Sequence, residues 1–409
     1  MSTVKLYFAT NRKHKGEFQW KPEGYGSGFS SSGHQNLRFG YVKLDYDEIK
    51  VNSYLNAEKH GARGDGEELS TYLADQSERA QKNDKKIITA FEDISLNEKR
   101  KLEFTERSST VAFREIKVEM EQAKDVVVFI HGFNVSWHDA VGSALSLQFM
   151  LNRKKIMTAD SVDIKVVLFS WPSDGKAIPF LSYWSDRADA EASGKSIGRG
   201  LLTLSNFLRR LREKPDTEEN GKAPAEENPL DKVPQEEILC NQDIHLLCHS
   251  MGNFALQHAF AKVIEESPEQ RLPKIFRHIF LCAPDVDDNV FELGKPMERL
   301  HELCLNVSIY FNAGDLALSV SDKTKGNADR LGQIGMSRES QVHRKVHEID
   351  CSKIVKGAVE HSYYLWGTVN QDIRQSIDKL PFDSKKRKRK REQRNSWIMK
   401  PSSLFSIFV

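Results

Sequence analysis

The sequence is short of long apolar runs: none approaches the ~18–20 consecutive apolar residues that a helix needs to cross a bilayer, so no membrane-spanning helix is expected. Paired cysteines are missing too. Cys240, Cys248, Cys282, Cys304 and Cys351 lie far apart, and an odd, unpaired set argues against a disulfide framework or a metal knuckle and for a reducing compartment. No glycine-rich strand-to-helix loop has dinucleotide- or phosphate-cradling spacing, so no cofactor is implied. The N-terminus, "MSTVKLYFATNRKHKG", has a few apolar residues and turns basic after them, the reverse of a secretory signal, which makes a cytoplasmic protein the expectation. The Asn-Val-Ser triplets at Asn134 and Asn306 would then not serve as glycosylation acceptors.

What is present in excess is local positive charge. The net charge of the 409-residue chain is +2, but Lys385 to Arg394, "KKRKRKREQR", holds eight basic residues and one acidic, a local +7 that leaves −5 elsewhere. Residues 381–409 read as a basic, disordered tail, able to contact an acidic partner, nucleic acid or an anionic membrane, or simply to solubilise the chain. Proline and acidic residues crowd into Pro215 to Glu237, so residues 214–237 read as a disordered insertion.

Between these segments the texture is that of alternating strands and helices. "VKLYFATNR", "LRFGYVKLDY" and "VAFREIKVEM" show the alternation of half-exposed strands; Asn56 to Lys86 reads as a charged surface excursion with some helix in it. From Asp125 the strands are apolar throughout: "DVVVFIHGFN", "DIKVVLFSWPSDG", "DIHLLCHS", "IFRHIFLCAPD", "NVSIYFNAGD" and "KVHEID". Helical stretches separate them, one of them, after Asp186, with an interruption expected near Gly194 and Gly198. Buried strands alternating with helices predict an α/β fold with a mostly parallel central sheet and helices on both faces, plus an N-terminal strand annex. The expected division is 1–122 for the annex, 123–380 for the main domain, then the tail.

The chemistry concentrates in "HLLCHSMGNFAL". An apolar strand, then His249-Ser250-Met251-Gly252, then a helix is the context of a nucleophile elbow, whose sharp turn requires small neighbours. Gly252 supplies one; Cys248 stands where the usual pattern has the other glycine. The plainer reading is a strand-to-helix turn with Ser250 as a helix cap. His131-Gly132, at the end of an earlier buried strand, matches the turn that provides the second oxyanion donor, and the amides of Phe133 and Met251 are the candidate donors. Of the later histidines, His258 lies in the elbow helix, His278 begins a strand, and His343 and His347 alternate with apolar residues as strand or edge positions do. His361, in a loop after the last expected strand, is the candidate general base. Its acid is Asp315, or alternatively Asp285; Asp315 is favoured because a strand count with the elbow on the fifth strand puts the acid after the seventh. His131, Asn134, Trp137, Trp171, His249 and Tyr363 are candidates for the substrate pocket, with Trp184, Tyr364 and Trp366 as further aromatics near its mouth. His245 and His249 stand four apart across a strand and a turn, a spacing that builds no metal face, so no metal is expected.

Taken together, "YFATNR", "VVVFIHGFNVSW", "LFSWPSDG", "HLLCHSMGNFAL", "CAPDVD", "YFNAGDLAL", "RLGQIG" and "HSYY" resemble the α/β-hydrolase family DUF900. The resemblance implies the α/β-hydrolase fold, with the nucleophile on Ser250, the oxyanion turn on His131 to Asn134, the acid on Asp315 and the histidine on His361; it implies no substrate. The expected function is a serine hydrolase acting on a carboxylic ester or thioester of a small acyl-containing substrate through an acyl-serine. The alternatives are an inactive hydrolase scaffold that binds a partner, or an acyltransferase.

Overall fold

A computed structural model describes residues 1–83, 85–91, 111–116, 118, 123–157, 163–173, 179–212, 243–267, 271–318, 329–357 and 360–401. The insertion expected at 214–237 lies outside the described residues. Among the described residues, fifteen strands form one large sheet and two ribbons: β1 (Ser2–Thr10), β2 (Arg12–Lys15), β3 (Gly24–Phe29), β4 (Arg38–Tyr46), β5 (Glu58–Lys59), β6 (Ala62–Arg63), β7 (Ile88–Ala90), β8 (Asp125–Ile130), β9 (Ile164–Ser170), β10 (Asp243–His249), β11 (Phe276–Cys282), β12 (Cys304–Phe311), β13 (Val346–Asp350), β14 (Arg389–Arg391) and β15 (Ser396–Met399). The eleven-stranded sheet has the order β14-β15-β13-β12-β11-β10-β8-β9-β1-β4-β7.

From β15 through β1 every neighbouring pair is parallel, and antiparallel strands close both ends. The parallel strands carry apolar residues on both faces because helices cover both. One face is packed by α1 (Glu48–Asn56), α2 (Gly66–Asn83) and α3 (Trp137–Leu151), and the other by α4 (Pro179–Arg212) and α5 (Gly252–Glu266); α6 (Gly367–Ile377) returns to the first face. The N-terminal annex belongs to this sheet, since β1 pairs in parallel with β9 from Tyr7↔Val167 to Thr10↔Ser170.

Four expectations are corrected. Residues 111–116, read as a strand, are helical. Ala112, Phe113 and Ile116 also share a helical spacing, and Phe113 packs on Phe39 and Phe207, which favours the helix over the short alternation. The stretch 56–86 is not a surface excursion: α2 buries Leu69, Leu73 and Ala74, and a Cβ on Gly142 of α3 would stand 2.4 Å from the Ser70 carbonyl, so the two helices touch backbone to backbone. Helix α4 runs unbroken through Gly194 and Gly198, whose missing side chains admit α5; a Cβ there would meet His258 at 2.4 Å and the Ala259 carbonyl at 2.7 Å.

The basic run is not a free tail. Arg387 and Arg389 are buried and both bond the carboxylate of Asp372 on α6, at 2.9 and 3.1 Å, and the Tyr310 hydroxyl donates to the same group at 2.8 Å. Burial alone would raise the Asp372 pKa, but Arg389 and Arg387 hold it below the usual carboxylate range. With two of its arginines anchored in this way the segment becomes an edge hairpin, β14 on β15, held also by buried Trp397 and Met399.

Candidate active site

The centre of the sheet ends in a crowded turn. Strand β10 is buried along almost its whole length, and the chain passes directly from His249 through Ser250 into α5. Ser250 has φ +51°, a left-handed conformation that costs a non-glycine residue on the order of 1–3 kcal/mol and persists only where the surroundings impose it. They do so here. The Ser250 N–H donates to the Cys282 carbonyl at 2.9 Å, and the Ser250 carbonyl accepts from Asn253 Nδ2 at 2.9 Å and from the Asp285 N–H at 3.3 Å. A Cβ on Gly252 would lie 2.5 Å from the His131 carbonyl oxygen, and one on Gly132 would lie 2.8 Å from Ser250 Cβ, so both glycines are needed for the two turns to approach. Cys248 is tolerated in place of glycine because its thiol sits in the apolar core; burial, then Cys282, pushes its pKa well above the usual value and keeps it neutral.

The His131-Gly132 turn is held by groups that the sequence reading gave no role. Arg12, fully buried at the start of β2, donates to the Val135 carbonyl at 2.8 Å, to the Ser173 carbonyl at 3.3 Å and to Ser170 Oγ at 2.8 Å. Ser173 Oγ donates to buried Asp186 and accepts from the Val135 N–H at 3.1 Å; Asp186 also accepts from the Asn134 N–H at 3.2 Å. Asn134 itself has φ +56°. His131 is buried, its pKa lowered to about 3 by burial and by the Arg12 charge, so it is a neutral strut bonded to Ser170 Oγ at 3.1 Å. The Trp171 indole stacks on that ring and donates to the His131 carbonyl at 2.9 Å. The one signal for this support was the polar triplet Thr10-Asn11-Arg12 ending an apolar strand.

His361 Nδ1 lies 2.7 Å from Asp315 Oδ2. Asp315 is fully buried, and its other oxygen accepts from the Ala317 N–H at 3.1 Å, which leaves the carboxylate little freedom. His361 retains about a fifth of its side-chain exposure, at 19%. Its ring lies 4.8 Å from that of His249, the residue before Ser250, and its main-chain carbonyl is 3.2 Å from His249 Nε2. A carbonyl can only accept, so His249 is the donor here; its ring is clamped between His361 and Tyr364.

The alternative acid, Asp285, is engaged by other groups. It accepts from the Tyr183 hydroxyl at 2.9 Å and faces Arg330 at 3.4 Å and Arg187 at 3.7 Å, while its amide donates to the Ser250 carbonyl. The aromatic pocket expectations are corrected likewise. Trp137 is buried against Phe8 and Tyr25, at 5.0 and 4.6 Å between ring centroids, in the core under the opposite sheet face. Tyr363 is fully buried, its hydroxyl donating to the Tyr310 carbonyl at 3.0 Å, and Trp171, Tyr364 and Trp366 are buried too. Aromatics close in sequence to a motif were packing residues. Trp184 is exposed, and Asn134 is the exposed member of the His131 to Asn134 turn. The other candidate bases stand apart from Ser250: His258 is in α5, His278 and His347 in the early parts of β11 and β13, and His343 outside the strand, stacked on His301 at 3.7 Å.

The family profile described as "Alpha/beta hydrolase of unknown function (DUF900)" matches residues 106–219 and 228–371, more than half of the sequence. The chain belongs to the DUF900 family. Its mostly parallel sheet, flanked by helices and extended by N-terminal strands, agrees with that family's α/β-hydrolase fold. No curated protein matches the sequence. Among solved structures, lipase B of Aspergillus fumigatus is similar over 64% of this chain and 53% of its own, at 11% identity and a TM-score of 0.31. Phospholipase PlaB of Legionella pneumophila, in complex with thio-NAD, is similar over 59% of this chain and 41% of its own, at 14% identity and a TM-score of 0.23. This chain thus spans about half of the lipase and two fifths of the phospholipase. Among the described residues, no helix is long and apolar enough to cross a membrane, and no cluster of three or more His, Cys, Asp or Glu side chains could hold a metal ion.

Proposed function

We propose that this DUF900 protein is a serine hydrolase of carboxylic esters or thioesters, with Ser250 as nucleophile, His361 as general base and acid, and Asp315 as the group that orients His361. The observation that carries the reading is the 2.7 Å bond between His361 Nδ1 and the fully buried Asp315 carboxylate. It fixes the tautomer with hydrogen on Nδ1, leaving Nε2 with a lone pair to take the Ser250 proton. The left-handed Ser250 at the tip of β10 supports the same reading, as a strained residue that follows His249, whose ring lies 4.8 Å from that of His361.

In the proposed reaction, Ser250 Oγ bonds the substrate carbonyl carbon as its proton passes to His361 Nε2. The carbonyl π electrons move onto oxygen, where the amides of Phe133 and Met251 would receive the charge. Among the described residues neither amide has a protein acceptor, and that of Met251 opens the first turn of α5, where the helix dipole favours an anion. Collapse expels the alkoxide or thiolate, which takes the proton from His361, and water repeats the sequence in reverse on acyl-Ser250. Side chains and water suffice for every step. His131 and Arg12 act at a distance by fixing the turn, and His249 by holding the His361 backbone. Four buried free thiols, Cys248, Cys282, Cys304 and Cys351, fit a reducing, cytoplasmic setting.

The test is a panel of p-nitrophenyl esters and acyl thioesters given to wild type and to Ser250→Ala. Turnover of at least one substrate that the substitution abolishes is expected; turnover equal in both proteins, or none by either, contradicts the reading. Adding a competing alcohol or thiol during turnover separates hydrolysis from acyl transfer.

A further inference from the structure

Arg153, the second residue after α3, carries a charge that its surroundings do not match. Its guanidinium makes no hydrogen bond or ion pair among the described residues, and Nη1 is buried. The fit around it is close: a Cβ on Gly64 would stand 2.8 Å from Nη1 and one on Gly367 would stand 3.2 Å from it, so the group sits between the turn after β6 and the first residue of α6. Burial and then the charge of Arg63 lower the Arg153 pKa, and no carboxylate acts against them. Arginine stays protonated all the same. Arg63 is exposed and is likewise unpaired among the described residues. Two guanidinium groups thus lie within reach of each other's field without an acid between them. Buried charges are ordinarily paired, so this arrangement calls for an anion.

Arg153 lines a cavity of about 360 Å³ between the end of α3 and the flank of α6, within the ~300–1,000 Å³ range of pockets that hold small molecules. Polar side chains from α6 and its C-terminal end form part of the wall: Asn370, Gln371, Arg374, Gln375 and Asp378. The Gln371 amide has no partner among the described residues and is open to a ligand. Asp378 does not offset Arg153, because it accepts from Arg374 Nε at 2.9 Å and from Lys124 Nζ at 3.1 Å, and Arg374 is matched further by Asp163 at 2.9 Å. We propose that this cavity binds the phosphate group of a small phosphomonoester, with Arg153 donating to it and Arg63 adding to the field. A guanidinium fork fits the oxygens of either a phosphate or a carboxylate, but two unmatched cations suit a dianion better than a single negative charge. The volume leaves room for the rest of the molecule beyond its phosphate. Nothing in this inference depends on Ser250.

The experiment is isothermal titration of the full chain with phenyl phosphate, inorganic phosphate and benzoate at pH 8, with thermal melts of each variant. Phenyl phosphate is expected to bind at least about tenfold more tightly than benzoate, which has the same ring and one charge. It should also outbind inorganic phosphate, which lacks the ring. Its advantage over benzoate is expected to shrink below pH ~6, where the ester loses its second charge. Arg153→Met keeps an apolar stem without the charge; it is expected to bind phenyl phosphate at least about tenfold more weakly and, free of ligand, to melt no lower than wild type. Arg63→Gln, at an exposed position, is expected to weaken binding about threefold and to melt with wild type. No binding of phenyl phosphate, wild-type affinity in either variant, or benzoate or inorganic phosphate binding as tightly as the ester would each overturn the proposal.

Discussion

Two sets of histidines sit at opposite ends of the same parallel strands, and they differ in everything except the ring. At the C-terminal ends, His361 keeps some exposure and lies 2.7 Å from a buried carboxylate. At the N-terminal ends, His245 and His278 stack at 5.9 Å, and neither ring nitrogen of His245 has a hydrogen-bond partner among the described residues. Burial first, then the charges of Arg277 and Lys379, lower the His245 pKa to about 3; burial and then Arg389 and Arg387 do the same to His347. His278 lies well below its ordinary value for similar reasons, with His245 the leading charge. An imidazole becomes a base when a carboxylate fixes one nitrogen and the other can be reached. Without those conditions it is a core residue that resists protonation.

The largest effect expected from breaking this comparison lies in the acid. Asp315→Asn should lower kcat by about 10⁴ because the His361 tautomer is no longer fixed, whereas Asp285→Asn should cost far less, since Asp285 grips Tyr183 and two arginines instead. Parallel ester kinetics on the two variants, with circular dichroism to verify folding, check this; equal losses would place the acid wrongly. Next comes the turn at Ser250. Gly252→Ala must displace the His131 carbonyl, and should cost about 1–3 kcal/mol in thermal stability and roughly a hundredfold in turnover. His249→Phe should follow, lowering kcat about tenfold with KM unchanged, by releasing the His361 carbonyl that a hydrogen bond worth about 1.4 kcal/mol holds; His249→Gln, which keeps a donor, should recover most of it.

The smallest effect belongs to the other end of the sheet. His245, His278 and His347 have folded pKa values below the unfolded value of about 6.5, so protons bind the unfolded chain first. They therefore cost no stability above pH ~6.5 and reduce it progressively as pH falls from there toward their folded values, each by up to ~1.4 kcal/mol per pH unit. His245→Phe should flatten the acid side of a plot of melting temperature against pH and leave the neutral side unchanged; an unaltered slope would mean that His245 is not buried in its neutral form.

What the sequence made legible follows the range of the interactions. The parallel sheet, its helices and the crowded turns at Gly132 and Gly252 are written in contiguous stretches, where apolar runs and small residues speak for themselves. The buried network around Arg12, Ser173 and Asp186 was not, because its members come from separate segments and no local pattern marks them. Trp137 and Tyr363 look like pocket aromatics only while their burial is unknown. Lys385 to Arg394 reads as a tail until Asp372, on a helix before it, accounts for two of its arginines. The choice between Asp315 and Asp285 likewise turns on which loop reaches His361, and a strand count supplies only an indirect argument for it.

The central claim is that Ser250 is a nucleophile activated by His361. The most direct measurement is labelling of the full chain with a fluorophosphonate, followed by mass spectrometry of the peptide that contains residues 249–252. The account predicts one phosphonate adduct on Ser250, formed at a rate that His361→Ala reduces at least about a hundredfold. No adduct on wild type, an adduct on another residue, or labelling of Ser250 that is indifferent to His361 would contradict it.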